Sequence, residues 1–188
     1  MESATVTPPD ANVSFTISAA GADDVEALVA LVNGAYRGQS SRRGWTTEEH
    51  LLGGQRTDAA TIARIIDTAG HVILVLRKDT EVCGCVLLEE EPDRVCYLGM
   101  LTVRPDLQAS GIGRRLLAAG EAWARERFGT FFMEMTVIDL RTELIAWYER
   151  RGYRATGEIR PFPYEDQRFG LPKRNDLRFV VLRRQIAS

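Results

Sequence analysis

A chain of 188 residues fits one ordinary globular domain, and 45% hydrophobic with 27% charged residues sits at the globular average. Wholesale disorder, collagen-like repetition and fibrous architecture are thereby excluded. Lysine and arginine number 24 against 26 aspartates and glutamates, a formal charge of -2 without the dominant basic face of a duplex binder, so no nucleic-acid partner is expected.

The three cysteines, Cys83, Cys85 and Cys96, lie in apolar strand-like stretches and lack a second spaced pair, which suits reduced, buried thiols rather than a disulfide framework. His50 and His71 are the only histidines, so no metal site is expected. Residues 1–12 carry neither a basic nor an apolar leader region, and no apolar run approaches the roughly 18 residues that span a bilayer. The expectation is a cytoplasmic protein without a membrane partner.

Residues 1–13 read as a flexible tail, and 14–188 as a single domain. Alternation over 14–18 predicts a strand, and Val25, Leu28, Val29, Leu31 and Val32 fall at helical spacings within 22–36. Thr46 or Thr47 is positioned to cap a helix starting at Glu48 and Glu49, and 57–69 predicts another short helix. Strands follow over 71–77, 81–89 and 94–103, joined by turns at 78–80 and 91–94, which makes an antiparallel meander. The acidic run Glu89, Glu90 and Glu91 reads as a solvated turn. An amphipathic helix over 112–128, a strand over 131–137, a helix over 141–151 capped by Asp139, and strands over 153–159 and 177–184 complete the order. The natural packing is an α/β layer with a mixed sheet.

One segment concentrates the chemistry. An apolar strand ending at Leu101, Thr102 and Val103 runs through Arg104 and Pro105 into Gln108, Ala109, Ser110, Gly111, Ile112, Gly113, Arg114 and Arg115, where a helix begins. Glycines let a backbone approach a phosphate, and the unpartnered first-turn amides with the helix dipole attract an anion, here a pyrophosphate. The P-loop pattern fails because Gly113 precedes arginines, and the dinucleotide fingerprint fails because Leu116 replaces its third glycine.

Gln108, Gly111 and Gly113 after the strand resemble the GNAT superfamily of N-acetyltransferases, and Tyr148 followed by Gly152 and Tyr153 resembles its second signature. The resemblance covers about 22–159. It implies a mixed, mostly antiparallel sheet of about seven strands flanked by helices, with a splayed strand pair forming an acetyl-CoA cleft. It further implies pantetheine along the main chain of Leu101, Thr102 and Val103, pyrophosphate on 108–114, an oxyanion donor at Leu101 N–H, and Tyr148 as the acid that protonates the leaving thiolate.

Glu134 shares a strand face with Thr136 and is the first candidate base, followed by Glu48 and Glu49. Tyr36, Trp45 and Glu48 are the candidate acceptor-side residues, with Arg56 and the aromatic, Pro-rich stretch 160–172 as further wall. Two departures stand out: Arg141 and Leu144 replace the asparagine and small residue of many relatives, and the strand 97–103 lacks the glutamate some members use as base. The expected activity is acetyl transfer from acetyl-CoA to a small-molecule amine, with homodimers common among similar proteins. The alternatives are an idle acyl-CoA sensor and, ranked lower, an acetyltransferase of protein N-termini.

Overall fold

The computed structural model describes residues 15–36, 48–166 and 170–187. In chain order the elements are β1 (Phe15–Ala19), α1 (Val25–Tyr36), β2 (Leu52–Gly53), α2 (Ala59–Asp67), β3 (His71–Lys78), β4 (Glu81–Glu91), β5 (Val95–Val103), α3 (Ile112–Trp123), β6 (Phe132–Ile138), α4 (Thr142–Glu149), β7 (Arg154–Pro161), β8 (Leu171–Pro172) and β9 (Arg178–Gln185). Seven strands form one sheet in the order β1-β3-β4-β5-β6-β9-β7, and β2 pairs with β8 apart from it.

All neighbours in the large sheet are antiparallel except β5 and β6. That parallel pair holds only where Val95, Cys96 and Tyr97 face Phe132, Met133 and Glu134, so from Leu98 onward β5 has an open edge on this side. The sheet, the meander and the splay agree with the architecture expected from sequence. The last long strand, β9, inserts between β6 and β7.

Each face of the sheet buries an amphipathic layer. On one face α1 presents Leu28, Leu31, Val32 and Ala35 and α2 presents Ile62, packed on Ile73, Val75, Cys85 and Leu87. On the other face Ile112, Leu116 and Leu117 of α3 and Tyr148 of α4 pack on Leu74, Leu88, Leu98 and Met133. Caps fix the helix starts: the Asp58 carboxylate accepts from Thr61 N–H at 2.7 Å, and the Asp24 carboxylate accepts from Gly21 N–H at 2.9 Å and from the Arg77 guanidinium of β3. α3 runs on into a π turn over Ala124–Phe128, ended by Gly129 in the left-handed region.

Three local expectations are corrected. Glu48 and Glu49 do not open a helix: Leu51 and Leu52 N–H both return to Glu48 O, one turn that is not continued. Leu51 and Leu52 are buried with Ile138, Phe162 and Leu177, and Leu52 passes into β2, where it pairs with Pro172 of β8. The acidic run is the end of β4 rather than a turn, with Glu89 paired opposite Tyr97. Asp139 does not cap α4 but pairs with Arg178.

The cysteines are buried and unbridged, and burial pushes the thiols of Cys85 and Cys96 up to about 12. Among the described residues no helix is long and apolar enough to cross a membrane. Gly84 sits where β4 meets α3: a Cβ there would stand 2.8 Å from Leu116 Cδ1 and 2.9 Å from Thr102 O. Gly84→Val should therefore destabilise the fold by about 1–3 kcal/mol, read as a lowered urea midpoint, and an unchanged midpoint would contradict this contact.

Candidate active site

The site begins with a β-bulge. Cys85 lies opposite Thr102 and Leu87 opposite Gly99, so Met100 and Leu101 together face Val86. Met100 takes φ +44°, a left-handed backbone that a long side chain rarely adopts. Its carbonyl is held by the Thr102 hydroxyl at 2.9 Å and the Cys85 thiol at 3.7 Å, which fix the bulge from inside the core.

Beyond the bulge the main-chain groups alternate. Arg104 N–H bonds back to Cys83 O on β4 at 2.9 Å, so Thr102 faces β4 while Leu101 and Val103 present their groups to the open edge. There the Leu101 carbonyl accepts from the Tyr36 hydroxyl at 2.8 Å and the Val103 carbonyl from the Gln108 amide at 3.1 Å. The two N–H groups are what this edge offers to a guest.

The edge runs into a cavity of about 590 Å³ lined by Leu101, Val103, the loop residues Gln108 to Gly111, Gly113 and Arg114, and by Arg141, Leu144, Trp147, Tyr148 and Arg151 of the α4 side. Gly111, at φ +86°, turns the loop into α3, and Arg115 N–H makes the first return bond, to Gly111 O. The amides of Ile112, Gly113 and Arg114 precede it and are left to an anion by helix geometry. Among the described residues the Arg114 guanidinium has no hydrogen-bond or ion-pair partner, whereas Arg115 lies over the Phe15 ring.

Two further arginines reach this cavity. Arg151 stacks 3.5 Å over the Trp147 ring and donates to Trp147 O, and its pKa is lowered by burial, then by Arg150 and Arg114. Arg141 is paired with Glu48 at 2.7 Å, both side chains about one-tenth exposed. The Tyr148 phenol is buried against Trp147 and Tyr153, and burial, reinforced by Tyr36, raises its pKa well above the usual tyrosine range. An anionic edge-binding ligand with two phosphates and an amide arm matches this donor set.

Residues 26–153 match the model of the acetyltransferase (GNAT) family. The chain belongs to that family. Mycothiol acetyltransferase of Salinispora arenicola is 30% identical over 139 residues, 71% of this chain, which spans only 42% of that protein's length. The ribosomal-protein-S18-alanine N-acetyltransferase of Escherichia coli shares the fold at TM-score 0.67 and 18% identity, covering 93% of this chain and 96% of that one. The yncA protein of Salmonella typhimurium, solved with its cofactor acetyl-CoA, aligns at TM-score 0.69 and 18% identity over 93% and 95% of the chains. Acetyl-CoA as acyl donor fits the family.

Against this GNAT frame the residues chosen from sequence separate. Thr102 and Ile112 point into the core and do not line the cavity, and the main-chain groups of Thr102 are turned to β4. Glu134 does not line the cavity: its carboxylate is buried in ion pairs with Arg183 at 2.6 Å and Arg160 at 2.9 Å. Glu48 is ion-paired with Arg141, and Tyr36 lines the first cavity and donates to the Leu101 carbonyl. Trp45 lies outside the described residues.

A second cavity, about 1000 Å³, opens on the α2 side of β5, with Arg56, Glu89, Tyr97, Met100, Thr136 and Leu171 among its walls. Tyr97 and Thr136 hydroxyls are hydrogen-bonded across it at 2.7 Å. From sequence Glu89 reads as part of a solvated turn, although its placement at the end of an apolar strand was a signal of a walled position. In the aromatic stretch Phe162 packs inward, while Pro161, Pro163 and Leu171 reach this cavity. Glu48→Gln, which removes the charge from this buried pair, should cost about 1–3 kcal/mol of stability in chemical denaturation, and an unchanged midpoint would show the pair to be incidental.

Proposed function

We propose that the chain transfers an acetyl group from acetyl-CoA to a primary amine of a small molecule by direct attack in a ternary complex. The observation that carries this reading is the alignment of three features in one cavity: the open edge of β5 at Leu101 and Val103, the loop amides before Arg115, and Tyr148. Acetyl-CoA supplies an activated acetyl thioester. The edge N–H groups would take its amide arm, and the amides of Ile112, Gly113 and Arg114 with the Arg114 guanidinium would take its diphosphate.

The Leu101 N–H is the donor for charge that develops on the thioester carbonyl oxygen. That N–H shares its peptide with the Met100 carbonyl, which the Thr102 hydroxyl and the Cys85 thiol hold, while Tyr36 fixes the next peptide through the Leu101 carbonyl. Tyr148 is the proton donor to the departing sulfur, and its raised pKa keeps the phenol protonated throughout the working range.

The amine must arrive neutral, although free alkyl amines have a pKa of about 10.4. Since Glu134 and Glu48 are ion-paired, the proton leaves through water in the second cavity. Glu89 is its acceptor there: burial, opposed by His71 and aided by Glu91, raises its pKa above that of an exposed glutamate. It pairs with Tyr97, four residues from Leu101, roughly 13 Å along a strand, a distance that requires a water relay. The β2–β8 strap alongside, with Gly54 and Leu171 in the cavity wall, favours a small acceptor over a protein terminus.

Thiol release on a panel of amines, amino acids and antibiotics tests the reading; tight acetyl-CoA binding without release from any amine would replace it with the sensor. Tyr148→Phe should lower kcat by about 10²–10⁴-fold with acetyl-CoA affinity retained, and an unchanged kcat would remove Tyr148 from the mechanism. Because a raised phenol pKa loses its proton only above its shifted value, kcat/KM should climb with pH toward the amine's own pKa and show no fall from Tyr148 below about pH 10.

A further inference from the structure

Three arginines line the second cavity: Arg56, the exposed Arg64 on α2, and the ion-paired Arg160; acetyl transfer as such does not require Arg56. Arg56 stands between β2 and α2, on a segment pinned to the interior of α1. The Asn33 carboxamide oxygen accepts from Arg56 N–H at 2.7 Å and Thr57 N–H at 3.2 Å, and its amide donates to Thr57 O at 2.9 Å. One residue on, Asp58 caps α2. The backbone under Arg56 is therefore held from both sides, which fixes where its side chain begins.

The guanidinium lies over the Tyr36 ring, 5.8 Å from the centroid, and that same ring's hydroxyl holds the Leu101 carbonyl. One aromatic ring thus separates the cation from the bulge where acetyl transfer is proposed. Arg56 is half-buried and, among the described residues, has no carboxylate partner. Arg160 across the cavity differs, being engaged by Glu134 and Glu158.

The opposite end of the cavity carries Glu89 and Glu91, with Asp58 already spent on its cap. An anion entering is repelled by Glu89 and Glu91 and drawn to the half-buried, anchored Arg56, whereas Arg64, also in the wall, is exposed and screened by solvent. A planar guanidinium in a concave wall pairs with a carboxylate by two parallel N–H···O bonds, stronger and more directional than a lysine contact.

Building on the acetyl-transfer reading, we propose that Arg56 receives a carboxylate carried on the same carbon as the acceptor's amine, or on the next one. The acceptor is then an amino-acid-like amine, with its side chain against the apolar floor of Leu87, Gly99 and Met100. Asn33 is the positioning residue that keeps Arg56 at this place.

Matched triplets test this: L-leucine, L-leucinamide and isoamylamine, and L-phenylalanine, L-phenylalaninamide and phenethylamine, each with acetyl-CoA and thiol release. The acids should exceed their amides and plain amines at least tenfold in kcat/KM, chiefly through KM. Arg56→Met, which keeps the aliphatic stem, should raise KM for the acids at least tenfold while the amides lose far less, with melting temperature and calorimetric acetyl-CoA affinity retained. Arg56→Lys should restore part of the preference. Amides or plain amines accepted as well as the acids, or a preference that survives Arg56→Met, would overturn the assignment while leaving amine acetylation standing. No thiol release from either triplet while another amine of the wider panel is acetylated would overturn the assignment alone, and no release from any amine of that panel would overturn it together with the acetyl-transfer reading.

Discussion

The site depends on one irregularity in β5. If the strand were regular it would continue beside β6, and its amides would be spent on a neighbour. Instead the bulge at Met100 and Leu101 twists the strand after Tyr97, the parallel pairing stops, and an edge stays open in the middle of a seven-stranded sheet. A left-handed methionine costs on the order of 1–2 kcal/mol, and it persists because Thr102 and Cys85 satisfy its carbonyl within the packed core. An interior open edge differs from an outer one: helices on both faces shield it from edge-to-edge pairing, yet a slim amide chain can enter.

Electrostatics divide the two cavities by function. Around the loop before α3, Arg114 and Arg151 supply positive potential, and burial first, then the neighbouring Arg150 and Arg114, lowers the pKa of Arg151. Arg141 adds little to that field, since Glu48 offsets it, and the pair instead ties the turn before β2 to the start of α4. On the other side of β5 the charges alternate from Arg56 to Glu89, a pattern suited to sorting acceptors by charge rather than to holding a polyphosphate.

Much of the fold was legible in the sequence because its signals are local. The β3-β4-β5 meander follows from alternating apolar runs and turn residues, and the loop into α3 from its glycines and the helix that follows. The bulge was not legible, because Met100 is not a glycine and its backbone is imposed by contacts with Cys85 and Thr102. Glu134 looked like a base on one strand alone, but its partner Arg183 faces it across β6 and β9, 49 residues away, and no spacing rule reports that register. Glu48 and Glu49 misled as a helix start for a similar reason: the leucines that follow, Leu51 and Leu52, are buried by Phe162 and Leu177, far along the chain. Arg56 was visible as a candidate wall residue, whereas its fixing by Asn33 needed the packing of α1 against the segment before α2.

The most direct measurement is residue-resolved amide hydrogen exchange across β5, with and without acetyl-CoA. The account predicts that the amides of Leu101 and Val103 exchange quickly in the free protein and become strongly protected with the coenzyme bound, while Thr102, already paired to β4, changes little. Protection of Leu101 and Val103 in the free protein, or no change when acetyl-CoA binds, would contradict it.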